Sequence, residues 1–218
     1  WIKAGSGASL NLLKTKQVDM IMVHAPDGVN KAITEGWATG RTLIGSNEFY
    51  IVGPKADKAK IQSASSGADA YTKIAKTQAN FISRGDKSGT HQKEMDIWKK
   101  AGVAPEGNWY IVTNDFMTAS LKKANADKAY FMTDSSTWVA EKNVAPELQI
   151  LYRGDPYLVN TYDALVAPVG ATENRDIAAK FIQFVASDEG QTIIRNYGKA
   201  LYKEALYNDA VYAKQYVQ

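Results

Sequence analysis

The chain carries 26 Lys and Arg against 23 Asp and Glu over 218 residues, a net charge of +3 that is too weak to argue for nucleic acid. Cysteine is absent, which excludes disulfides, thiolate catalysis and cysteine-held metals, and no apolar run approaches the ~20 residues of a membrane span. With 45% hydrophobic and 22% charged residues it can bury the core of one large domain or of two lobes of about 100 residues each. It opens at Trp1, without Met and without a secretory signal, and reads as a processed or trimmed product.

Trp1–Ala4 reads as a strand running into a Gly5-Ser6-Gly7 turn, with a helix over 8–17. Val18 to Val23 is a short apolar run suited to a buried parallel strand. Pro26 stands near the start of a second helix, over 27–36. This β-α-β-α opening predicts a parallel sheet with right-handed crossovers. Gly40 to Pro54 has no helical period and is punctuated by Gly45 and Gly53-Pro54; it reads as a strand pair or one long strand leaving the first lobe. The α/β rhythm then restarts. Helices are expected over 58–63 and 69–77, a strand over 80–83, and a helix over 90–101 stopped by Lys99, Lys100 and Gly102. A strand over 109–113, a loop, a helix over 118–125 and a strand over 129–133 follow, the last capped into a short helix by Asp134-Ser135-Ser136. A strand over 148–153 is broken by Gly154-Asp155-Pro156, and residues 157–168 read as extended. Helices are expected over 173–186 and 188–197; in the first, Ile177, Phe181, Ile182, Phe184 and Val185 make an apolar stripe. The tail carries Tyr202, Tyr207, Tyr212 and Tyr216 and reads as packing on the first lobe. The outline is an α/β fold of two lobes, 1–53 with 159–218 and 54–158, joined by two hinge crossings with a ligand cleft between them.

One stretch has the makings of an anion site. Phe81-Ile82-Ser83 is a strand candidate, residues 84–89 form a polar loop, and Thr90 opens a helix. First-turn N–H groups lack helical acceptors, and the helix dipole leaves that end partly positive. Arg84 adds a permanent charge on a rigid fork of donors; Ser88 and Thr90 add hydroxyls. Gly5-Ser6-Gly7 has a similar form, although Ser6 taken singly also reads as a helix N-cap. In open α/β sheets such turns lie at the carboxyl ends of strands, where ligands bind. The loop before Thr118 is a third donor candidate, beside a plain capping role for Thr118. Arg84-Gly85-Asp86 as an adhesion tripeptide and Ser120-x-x-Lys123 as a nucleophile pattern are cheap matches without supporting motifs. His24 and His91 lack partners at zinc-site spacing, so no metal is expected. A hydrolase using the anion loop would need a base near Ser88 or Thr90, and His91 is the near candidate.

The run from Ser83 to His91, Ser-Arg-Gly-Asp-Lys-Ser-Gly-Thr-His, resembles the signature of periplasmic tungstate-binding proteins of ABC uptake systems. The likeness extends to Val18–Pro26, Asn47–Pro54, Lys128–Asp134 and Tyr197–Asp209, and so over nearly the whole chain. It implies the type II periplasmic binding protein fold. It implies a monomer outside the cytoplasm that is not an enzyme, needs no cofactor, and captures tungstate, with molybdate as a further ligand, for the permease of an ABC transporter. Carried over, Arg84, Ser88, Gly89 and Thr90 hold the anion in the second lobe and Ser6 and Gly7 hold it from the first, with Thr118 and His24 as further candidates. The family begins with a strand and a Thr/Ser-rich loop that also touches the anion. This chain starts after that element, so a central strand of the first lobe and part of the site are expected to be missing from it.

The protonation state of the ligand can be argued separately. Tungstate at neutral pH is doubly charged and carries no proton, so a fitting site offers N–H and O–H donors and keeps carboxylates away. Phosphate usually keeps a proton and wants an acceptor. Phosphate-binding relatives place an Asp after the strand that follows the Gly-Ser-Gly turn; here that place is near His24 and shows no carboxylate, which favours a proton-free oxyanion. Asp86, inside the loop, is expected to point away and pair with Arg84 or backbone N–H groups. A phosphate-binding protein of the same architecture is the alternative.

Overall fold

The computed structural model describes residues 1–217. Two compact units divide the chain: Trp1–Asn47 with the residues from Asn160 onward, and Glu48–Val159. Residues 1–5 have no regular structure, so the strand expected at Trp1–Ala4 is absent. Trp1 and Ile2 are exposed, and an extended segment without a strand beside it forms no ladder. The chain then runs α1 (Ser6–Lys14), β1 (Met20–Val23), α2 (Pro26–Thr34) with Pro26 in its first turn, and β2 (Thr39–Pro54), a single 16-residue strand. The helix expected over 58–63 is reduced to one 3-10 turn at Ile61–Ser63. Lys60 is left-handed (φ 57°), and the Asp57 carboxylate accepts the N–H groups of Ile61 and Gln62, which closes a tight turn instead of a helix.

The second unit continues with α3 (Gly67–Thr77), β3 (Phe81–Ser83), α4 (Gly89–Lys100) and β4 (Tyr110–Val112). It ends with α5 (Met117–Asp127), β5 (Tyr130–Asp134), α6 (Ser135–Glu141) and β6 (Leu148–Tyr152). The return to the first unit is β7 (Val159–Val166), followed by α7 (Arg175–Ala186), α8 (Asp188–Asn196), α9 (Lys199–Tyr202) and α10 (Ala210–Ala213). No helix among the described residues is long and apolar enough to cross a membrane.

In the second unit β3 lies parallel between β4 and β5. The later half of β2 pairs antiparallel with β5 and with β6. Side chains alternate between two cores, as the period of two requires. Phe49, Ile51, Phe81, Tyr130 and Met132 face Tyr71, Ile74, Ile97 and Trp98. Val52, Ile82 and Phe131 face Met117, Leu121 and Ala124. Strands buried on both faces read as continuous apolar runs. Because Phe49, Ile51 and Val52 belong to these cores, the units part at Asn47/Glu48, not after Gly53.

In the first unit the strand order is β1-β7-β2, and β1 and β7 are antiparallel. The fully parallel opening is therefore corrected: the neighbour of β1 is a strand that returns much later in the chain. Among the described residues β1 pairs with β7 alone. Leu165 joins Leu13, Ile21, Val23 and Val29 on one face, while Ala164 and Val166 join Ile44, Ala178 and Ile182 on the other. The stripe expected on α7 is offset. Ala178 and Ile182 are buried, whereas Ile177, Phe181 and Phe184, one or two residues round the helix, are exposed. The tail packs within this unit: Ser46 and Asn208 exchange both backbone hydrogen bonds, at 3.0 and 2.8 Å, and Tyr207 sets its ring edge-on to Tyr162.

Candidate functional site

The loop between β3 and α4 is built from its ends inward. Ser83 closes a fully buried strand, and Ser88 caps α4, its Oγ accepting the His91 N–H at 3.3 Å. Between them the chain reverses through two left-handed residues, Gly85 (φ 65°) and Lys87 (φ 58°). Gly85 is required twice over. Its φ disfavours a side chain, and a Cβ there would stand 2.2 Å from Val112 Cγ1. This turn carries Arg84 inward, to 8% exposure, beside Ser88 at 6% and Thr90 at 4%.

Arg84 is held at three points. Nε donates to the Asp115 carbonyl at 3.2 Å, Nη1 to Thr90 Oγ1 at 3.5 Å and Nη2 to Asp86 Oδ2 at 2.5 Å. A guanidinium has five N–H donors, so this clamp orients the cation without exhausting it. Asp86 Oδ1 also accepts the Ser88 N–H at 3.1 Å. Burial pushes the Asp86 carboxyl up, but the Ser88 hydrogen bonds and the Arg84 charge outweigh it and hold the group below the usual carboxylate range. Asp86 thus pairs with Arg84 and a backbone N–H, as expected, and so engages two groups ascribed to the ligand's donor set.

His91 Nδ1 accepts the Lys87 N–H at 3.0 Å. Burial lowers its basicity and Arg84 adds to that, against an opposing pull from Asp86. With Nδ1 committed to a backbone donor, His91 is a poor base for Ser88 or Thr90, which weighs against the hydrolase reading.

The start of α5 lies against the same arginine, through the Asp115 carbonyl. Its N-cap is Phe116, which provides no side-chain acceptor. Thr118 is the second residue of the helix, so the capping role expected for it is corrected, and the first-turn N–H groups are left without a side-chain cap.

In the first unit α1 opens with Gly5 as N-cap, again without a side-chain cap. Ser6 is buried, and its Oγ accepts the His24 N–H at 3.4 Å, so Ser6 is the first helical residue and not a cap. Gly7 is exposed. His24 follows β1, with Nδ1 3.0 Å from Asn160 Oδ1, and Asn160 in turn donates to Asn47 Oδ1 at 2.8 Å. The structure therefore groups Arg84, Ser88, Gly89, Thr90 and the start of α5 in the second unit, and Ser6, Gly7 and His24 in the first.

Sequence reasoning passed over Glu94. It is 2% exposed on the second turn of α4, where its Oε1 accepts Tyr110 Oη–H at 2.6 Å and Trp98 Nε1–H at 3.2 Å. A signal was present: Glu94 precedes the buried Ile97 and Trp98 by three and four residues, which puts it on the inward face.

Residues 1–189 match the model of the PBP superfamily domain. The chain is 32% identical over 212 residues to the tungstate-binding protein TupA of Peptoclostridium acidaminophilum, covering 94% of this chain and 73% of that protein. Among solved structures it is similar to the tungstate ABC transporter protein from Geobacter sulfurreducens (39% identity, TM-score 0.79, 90% of this chain and 84% of that one). It is similar also to the tungstate-binding protein TupA from Desulfovibrio alaskensis G20 (34%, TM-score 0.81, 96% and 85%). Of a Haloferax volcanii relative, 36% identical over 204 residues, the chain spans 59% of the length. On the family model and these identities, the chain belongs to the PBP superfamily, in the family of the TupA proteins.

Proposed function

We propose that this chain is the solute-binding component of an ABC-type importer, working outside the cytoplasm as a monomer, and that it captures tungstate or molybdate for a membrane permease. The observation that carries the reading is Arg84: a buried guanidinium clamped by Asp115, Thr90 and Asp86, with donors to spare, at the start of a helix opened by Ser88-Gly89-Thr90. Arg84, Ser88, Gly89 and Thr90 are the proposed ligand donors in the second unit, with the uncapped start of α5 at Thr118. Ser6 and Gly7, with His24 behind them, are the proposed donors of the first. Charge-assisted hydrogen bonds are worth ~1.5–3 kcal/mol each, so about four reach the ~8 kcal/mol of a micromolar complex. The names of the TupA relatives support tungstate as the ion. Nothing in this role calls for catalysis or a cofactor.

A second reading is favoured by Asp86, an acceptor standing among the donors, whose carboxylate can accept a hydrogen bond from the proton that phosphate keeps. A thermal-unfolding panel separates the two. Tungstate and molybdate should raise the midpoint far more than phosphate or sulfate at the same concentration. Equal stabilisation by phosphate would overturn the tungstate and molybdate assignment in favour of the second reading.

A further inference from the structure

Glu94 has no part in the donor set, yet it lies directly behind it. The groups facing its carboxyl come from every neighbouring element. Tyr110 (β4) and Trp98 (α4) donate to it, and the buried Ser83 hydroxyl (β3) lies beside it. Tyr71 (α3) is fully buried nearby, Asp86 of the loop adds negative charge, and His91 is one helical turn away. Glu94 forms no ion pair among the described residues, and the rings of Trp98, Tyr110, Phe81 and Tyr71 pack against one another around it. A carboxylate without a counter-ion in such a setting is held in its charged form only at a high free-energy cost.

The same helix presents its positive end to the proposed ligand. At ~1.5 Å rise per residue, Glu94 lies within roughly 10 Å of the Ser88–Thr90 turn. A doubly charged anion arriving there adds a second repulsion on an ionised Glu94. Protonation of Glu94 relieves both. Resting on the function proposed above, we infer that the oxyanion binds together with a proton taken up by Glu94, so that capture is proton-linked and strengthens as the medium becomes more acidic. By linkage the effect is reciprocal: the anion must raise the affinity of Glu94 for its proton as much as the proton raises the affinity for the anion.

Burial already pushes the Glu94 carboxyl up to about 7, against the pull of Tyr110, Ser83 and Trp98, so it titrates where the effect can be read. Asp86 is held low and stays ionised over this range. His91 is the competing proton acceptor, since an anion beside it would also favour its charged form.

The test is calorimetric titration with tungstate near pH 7 in two buffers of unequal ionisation enthalpy. The wild-type chain should take up a fraction of a proton per anion, and its affinity should fall at least tenfold or so between about pH 6 and 8.5. E94Q should bind tungstate with no proton uptake and a flat profile, and H91Q should retain the uptake. Uptake that persists in E94Q, vanishes in H91Q or is absent from the wild type overturns the inference while leaving anion binding intact. Should E94Q not fold, difference infrared spectroscopy of the wild type decides: tungstate must increase the protonated-carboxyl C=O band near neutral pH, and an unchanged band overturns the inference. If no oxyanion binds at all, the function proposed above fails and the inference falls with it.

Discussion

Before any ligand is added, Glu94 should make the second unit less stable as pH rises. The direction follows from linkage. A carboxyl whose folded-state value is raised binds its proton in the folded chain where the unfolded chain has already released it, so stability declines with pH between the two values and levels off above the higher one. Here the interval runs from the ordinary value of 4.5 to about 7. At ~1.4 kcal/mol per unit, the loss across it is about 3 kcal/mol. With a urea m-value of ~1–3 kcal/mol/M, that is a midpoint shift of roughly 1–3 M. Tryptophan fluorescence is a direct probe, because Trp98 donates to Glu94 and Trp109 packs edge-on to Trp98. His91 acts in the opposite sense: its lowered value gives stability that is lost as pH falls below the ordinary histidine range. Urea unfolding at a series of pH values should therefore show a decline in the wild type that E94Q removes. The absolute stability of E94Q is not the readout, since glutamine can keep the acceptor role yet buries two new N–H donors. An equal slope in E94Q, or a wild-type profile without decline up to about pH 7, would refute the reasoning.

Gly85→Ala should cost ~1–2 kcal/mol from the left-handed backbone alone, with a further clash against Val112 Cγ1 at 2.2 Å. Urea unfolding should show the larger loss, and adding Val112→Ala should recover the clash part only. Arg41 donates from Nε and Nη2 to both oxygens of the buried Asp163, each at 3.0 Å. Arg41→Ala should cost about 3 kcal/mol by leaving that carboxylate alone, and Asp163→Asn in the same chain should return part of it; simple additivity in a double-mutant cycle would contradict the pairing. Ser88→Ala should cost ~1 kcal/mol as a lost cap, measurable as a shift in unfolding midpoint, together with a weaker response to tungstate.

How far the fold could be read in advance depended on how local its causes were. Pro26 at a helix start, Ser88 as the cap of α4 and Gly102 after it act within a few residues, and each stands where its chemistry says. The buried runs at Ile51-Val52, Phe81-Ile82 and Tyr130 to Met132 were legible because strands covered on both faces need no polar alternation. What escaped was non-local. Trp1–Ala4 has the composition of a strand, but a strand needs a neighbour. The direction of β1 is set by β7, whose residues pair with it from far along the chain. Phe116 as the cap of α5 contradicts side-chain preference; the helix start is fixed instead beside the Asp115 carbonyl, which holds Arg84. Within the candidate site, Arg84 and the Ser88 turn were visible as residue types in a pattern. The pairing of Asp86 with Arg84 and a backbone N–H was legible too; the two left-handed residues that fold the loop back on itself, Gly85 and Lys87, were not.

The central claim is that Arg84 and the turn after it capture a proton-free oxyanion. Calorimetric titration of tungstate into the wild type and Arg84→Ala tests it most directly. Two charge-assisted hydrogen bonds lost at ~1.5–3 kcal/mol each predict an affinity at least about a hundredfold weaker in the variant. A variant that binds tungstate as tightly as the wild type would contradict the account.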